Sequence, residues 1–187
     1  MIMGLDLAST SSGVCILQGE KVVHTELVQP PAKTKDPLER ISFIFNRINQ
    51  LYSEYSIDYM AIEDVPLNAG MRNFAVAKHN ILLLGGIIAL GNLHNSAVIL
   101  MLPSEWRKAA GVYDEAVAKE EMAREFQKKK GIEIANKSFN FGFTWVSDYR
   151  DKIDHNSDIA ESALIALAAY RIFTKGGNNL DGTKGDI

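Results

Sequence analysis

The chain has 187 residues, 47% hydrophobic and 23% charged, with a formal net charge of −3. That size suits one domain, or one with an appendage, and supplies enough apolar residues for a sizeable core. The mildly acidic balance excludes a chain-wide basic footprint, so any polyanionic partner has to be met by local charge.

Met1 to Leu7 reads as a strand that reaches a lone acid, Asp6, and then gives way to a turn of small residues, Ala8 to Ser12. This start has no basic n-region and no long apolar stretch, so no signal peptide is expected and the cytoplasm is the expected compartment. Gly13 to Leu17 reads as a second strand, in which the single cysteine, Cys15, alternates with Val14 and Ile16 and is expected to be a buried thiol. Gln18-Gly19-Glu20 makes a tight connection to a third strand, Lys21 to Val28. Three short strands with short links predict an antiparallel meander. A Pro/Lys loop from Gln29 to Lys35 leads to Asp36-Pro37, a helix start with Asp as N-cap and Pro at the first helical position. Leu38, Ile41, Ile44, Phe45, Ile48 and Leu51 follow at helical spacing.

Tyr59-Met60-Ala61-Ile62 reads as a fourth strand ending at Glu63-Asp64. A long apolar helix is expected from about Arg72 to Leu90. Its run ILLLGGIIAL is too short to span a bilayer, so no membrane partner is expected. Gly85 and Gly86 cost that helix about 1 kcal/mol each, which close helix packing would explain, either at a dimer seam or against the sheet. Ala97 to Leu102 reads as a fifth strand stopped by Pro103. Asp114 is expected to cap a helix running to Lys130, with Gly131 as its stop. Residues 132–157 read as irregular and aromatic, Ile159 to Thr174 as an apolar helix, and the tail from residue 175, with its GGNNLDGTKGDI, as disordered.

Three leading strands followed by alternating helices and strands predict an α/β layer fold with a mixed five-stranded sheet, the fourth and fifth strands parallel to the first. Sites in such sheets form at the carboxyl ends of the parallel strands, where Asp6 and Glu63 are placed. In DHNSDIAESALIALAAY, Asp158 and Glu161 are three apart and share one helix face. Four acids from three segments would repel one another and raise each other's pKa unless cations lie between them. Oxygen ligands without cysteine favour Mg²⁺ or Mn²⁺, and two such ions would suit a phosphodiester. Each acid also has a plainer reading: an Asx-turn for Asp6, a solvated strand end for Glu63-Asp64, and favourable helix-dipole placement for Asp158 and Glu161.

GLDLASTSSGV, YMAIEDV and DIAESALIALA together resemble the three acidic motifs of RuvC-type Holliday junction resolvases in the RNase H-like superfamily, with the phage-encoded (lactococcal phage) branch most similar. The resemblance runs over residues 1–174 and implies an RNase H-like nuclease domain there. It implies an Mg²⁺-dependent homodimeric endonuclease, with two ions per site and Mn²⁺ as substitute, that nicks four-way DNA junctions symmetrically. By position, Asp6, Glu63, Asp158 and Glu161 would be the metal ligands, and Glu161 stands where that family has an aspartate. A basic residue near the scissile phosphate is implied as well, with a catalytic role. Lys119 holds about that place, with Arg107 and Lys108 as alternatives.

Arg72 and Lys78 follow Glu63 closely and are candidates for DNA phosphates, as are Arg107 and Lys108. Lys128-Lys129-Lys130 reads as a basic helix C-terminus. Where that family has an aromatic shortly after the glutamate, this chain has Pro66, so base readout is expected to differ. The stretch NKSFNFGFTWVSDYRDK fits a β-hairpin finishing the core better than a DNA-stacking surface. His155 and the acids Asp148, Asp151 and Asp154 are reserve candidates. Three rival functions remain: an RNase H-like nuclease on other branched DNA or on RNA–DNA hybrids, a non-catalytic junction-binding protein, and an ATP-binding protein of the actin and sugar-kinase type. The last needs two lobes, which 187 residues do not supply.

Overall fold

The computed structural model describes residues 1–64, 74–112, 124–144 and 155–175. Five strands, β1 (Ile2–Asp6), β2 (Ser12–Gln18), β3 (Lys21–Val28), β4 (Tyr59–Glu63) and β5 (Ala97–Met101), form one sheet in the order β3-β2-β1-β4-β5. β1, β2 and β3 pair antiparallel, while β4 and β5 join in parallel from β1 outward, as expected for a mixed sheet. The described helices are α1 (Pro37–Glu54), α2 (Phe74–Leu93), α3 (Pro103–Ala110), α4 (Arg124–Phe139) and α5 (His155–Lys175). α1 starts as its sequence predicts, with the Asp36 carboxylate accepting from the Leu38 N–H at 3.0 Å.

The two-residue period of the strands divides the interior into two cores. Met3, Leu5, Val14, Ile16, Met60 and Ile62 face α1 and α2. Ile2, Cys15, Leu17, Ala61 and Met101 face α3, α4 and α5. Cys15 is fully buried, and burial pushes its thiol well above the ordinary range. By the same alternation Asp6 and Glu63 fall on the α5 side.

α5 lies unusually close to the sheet, and glycine makes that possible. A Cβ on Gly4 would stand 2.2 Å from the Ser162 carbonyl oxygen, and one on Gly13 would stand 2.0 Å from that of Asp158. The facing stretch of α5 is correspondingly small: Ala160, Ser162, Ala163 and Ala166 are all buried.

Five expectations need correction. α2 has 20 residues, an 18-residue stretch of which has a mean hydropathy of 1.6, and among the described residues it is the one helix long and apolar enough to cross a membrane by length and composition. The ten-residue run understated it. Its Leu83, Ile87 and Leu90 nevertheless pack into the α1 core. Pro103 does not merely stop β5; it opens α3, a helix missing from the sequence reading, which ends at Gly111 with φ +85°. Gly131 is not a helix stop. It sits inside α4 against Leu164, and the stop falls at Asn140, which takes φ +58°. No strand occurs among the described residues of 136–144, so the hairpin is absent there. The Asn136 side chain instead brackets the turn, accepting from the Phe143 N–H at 2.9 Å and donating to the Phe143 carbonyl at 2.8 Å. The expected tail began at residue 175, but Lys175 ends α5, and residues 176–187 lie outside the described residues, as do the expected cap Asp114 and residues 145–154.

Candidate active site

Asp6 ends β1 and Glu63 ends β4, one step beyond the parallel pair Leu5–Ile62. The two acids therefore stand side by side at the carboxyl ends of adjacent strands. After Asp6 the chain turns through small residues fixed by hydrogen bonds: the Ala8 N–H donates to Ser12 Oγ at 3.2 Å, and the Ser9 N–H donates to Asn80 Oδ1 of α2 at 2.9 Å. Gly13 admits the first turn of α5 directly over this end of the sheet, which brings Asp158 and Glu161 to Asp6. Carboxylate oxygens of Asp6, Asp158 and Glu161 lie within 4.8 Å of one another. With Glu63 they line a cavity of about 500 Å³, which Thr10, Ser11, Arg107, Gln127 and Lys128 also line.

Two cations and an indole hold the acids. The Trp106 Nε1–H, from a nearly fully buried ring, donates to Glu63 Oε2 at 2.5 Å. Arg107 Nη2 lies 3.9 Å from Glu63 Oε2 and 3.7 Å from Glu161 Oε1. Lys128 Nζ lies 3.6 Å from Asp158 Oδ1, and Ser11 Oγ–H reaches Asp158 Oδ2 at 3.4 Å. Burial and the neighbouring Glu161, Asp158 and Glu63 push the Asp6 carboxyl well above its usual range, with Lys128 working the other way. Burial also raises Glu161, against Lys128 and Arg107.

Both groups bind protons more tightly folded than unfolded. With no cation bound, their contribution favours the fold at acid pH and is lost as pH climbs from about 4 through the raised values. In EDTA the melting temperature is expected to be lower at pH 7.5 than at pH 5.5, by roughly 2–4 °C for each kcal/mol of repulsion. Asp6→Asn is expected to remove much of that difference in a thermal scan. A second expectation concerns the indole: Trp106→Phe leaves Glu63 without its donor. It is expected to destabilise the chain by about 2 kcal/mol in chemical denaturation, a typical worth for a bond to a charged group.

The donor set fits a hard divalent cation. It is all oxygen, it converges, and its members repel one another without one. Of the sequence candidates, Asp6, Glu63, Asp158, Glu161 and Arg107 meet in the cavity. Lys78 is exposed on α2 and Lys108 exposed on α3, both outside the cavity lining. Arg72 and Lys119 lie outside the described residues, as do Asp148, Asp151, Asp154 and the side chain of His155. Sequence reasoning missed Trp106, and it placed Lys128 at a helix end when it lies inside α4. The signal for Lys128 was present: Gly131, Ile132 and Ala135 follow it at three, four and seven residues and pack against α5, so Lys128 shares their face.

No family model and no curated protein sequence matches the chain. Solved structures do match. Thermus thermophilus RuvC aligns with a TM-score of 0.66 at 17% identity, over 94% of this chain and 96% of that one. The chain has the RuvC fold. T. thermophilus RuvC in complex with a Holliday junction substrate aligns over the same shares, with a TM-score of 0.64 at 16% identity. The yeast mitochondrial Holliday junction resolvase Ydc2 aligns with a TM-score of 0.55 at 16% identity, over 91% of this chain and 77% of that one. These RuvC-like neighbours are bacterial and mitochondrial, and they lend no support to the expected phage branch.

Proposed function

We propose that the chain is a divalent-metal-dependent endonuclease that acts as a homodimer in the cytoplasm and cuts four-way DNA junctions by paired, symmetric nicks. The observation that carries the reading is the meeting of Asp6 and Glu63, from adjacent parallel strands, with Asp158 and Glu161 of α5 in one cavity. These four would hold Mg²⁺, with Mn²⁺ as substitute. When bound, such ions neutralise phosphodiester charge and make water a better nucleophile. The chain's own groups do the rest. Thr10 and Ser11 offer hydroxyls to the DNA backbone from the cavity lining. Arg107 bridges Glu63 and Glu161, and its charge favours an approaching phosphate. Lys119 and Arg72 keep their proposed roles at the scissile and flanking phosphates.

The dimer is supported by α2. Its outer face exposes Phe74, Ile81, Leu82 and Leu93, and a Cβ on Gly85 would meet nothing within 4 Å. Gly86, by contrast, faces Phe45 of α1. An exposed apolar strip of this kind suits a two-fold partner whose symmetry matches a junction. The test is incubation of purified protein with a synthetic four-way junction, plain duplex and an RNA–DNA hybrid, alongside sedimentation. Paired nicks in the junction with Mg²⁺, none with EDTA and an intact duplex are expected from a dimer. An uncut junction, or a hybrid cut in preference to it, would overturn the reading.

A further inference from the structure

We propose that Lys128 occupies one cation position of the acid cluster, so that the free protein takes up one divalent ion where four carboxylates alone would hold two. The inference rests on the metal-dependent reading above and sharpens it. The ammonium has a built seat. Lys128 Nζ donates to Ser157 Oγ at 3.0 Å, and the Ser157 hydroxyl reaches Asp158 Oδ1 at 3.3 Å. The same Nζ stands 3.6 Å from Asp158 Oδ1. Asp158 belongs to the triad whose oxygens lie within 4.8 Å of one another, so the lysine charge sits at the edge of that triad.

The position is fixed from behind. Ile132 and Ala135, on the same face of α4, are buried against α5, and the Lys128 side chain is 22% exposed. On the other flank Arg107 pairs with Glu63 and Glu161. Four carboxylates against one ammonium and one guanidinium leave a formal charge of −2, which a single divalent ion cancels. A second ion would meet a site already neutral, with an ammonium at close range. Without the ammonium the same count is −3, more than one divalent ion cancels, and Asp158 would be freed as a ligand for a second.

The test is a titration of Mn²⁺ into the full chain without DNA at pH 7.5. Calorimetry gives the stoichiometry, and electron paramagnetic resonance counts the free ion. One Mn²⁺ per wild-type chain is expected, two per Lys128→Met chain, and one per Lys128→Arg chain, which keeps the charge. A thermal scan checks that each variant is folded. Two ions in the wild type, or one in a folded Lys128→Met protein, would overturn the proposal alone. No Mn²⁺ uptake by any of the three would overturn it together with the metal-dependent reading.

Discussion

Asp6→Asn is expected to reduce junction cleavage by about a thousandfold or more while leaving the fold and junction binding in place. The magnitude follows from losing a charge that acts only where the phosphodiester reacts, in a site partly withdrawn from water. The direction of the side effects follows from the surroundings. Asp6 is buried and meets like charge from Glu161, Asp158 and Glu63. Neutralising it relieves that repulsion, so the variant is expected to melt no lower than wild type in EDTA and to bind junction DNA at least as tightly. Gel shifts with labelled junction, beside single-turnover cleavage, separate the two effects. A variant that cuts at near wild-type rate contradicts the assignment.

Gly13→Ala is expected to reduce junction cleavage by about a hundredfold, for a different reason. Its Cβ would lie 2.0 Å from the Asp158 carbonyl oxygen and 2.5 Å from the carbonyl carbon, both backbone atoms at the start of α5. Backbone cannot rotate aside as a side chain does, so α5 has to lift. Overpacking of this kind costs on the order of 1–3 kcal/mol. The larger consequence is geometric. Asp158 and Glu161 ride on the first two turns of that helix, and a shift of an ångström at a catalytic constellation costs about a hundredfold in rate. Activity is therefore expected to fall much further than stability. Gly86→Ala, whose Cβ would meet only the Phe45 ring at an ordinary 3.6 Å, serves as the control. Equal losses in Gly13→Ala and Gly86→Ala, measured by denaturation and by cleavage, would contradict this account of the glycine.

Much of this was legible in the chain, and for identifiable reasons. Strand periodicity and short links exposed the meander, and the lone acid at the end of a buried strand marked Asp6. The Asp36-Pro37 signal fixed the start of α1 because capping is a local interaction. Helix stops were less readable, because the same residue serves two purposes. Gly131 looks like a C-terminal stop, yet its lack of a side chain is used for packing against Leu164, and the chain leaves the helix at Asn140. Pro103 likewise breaks a strand and opens a helix in one position. That misreading hid the face of α4 on which Lys128 lies and the helix that carries Trp106. The contacts of these two residues span 29 and 43 positions in sequence, beyond the reach of any local pattern.

The most direct test of the central claim is to soak crystals of the protein with Mn²⁺ and collect anomalous scattering data. An anomalous peak within coordinating distance of Asp6 and Glu63, flanked by the first turn of α5, is the result expected. Crystals that show no peak there, or show it at carboxylates elsewhere on the surface, would contradict the claim that these four acids form a cation site.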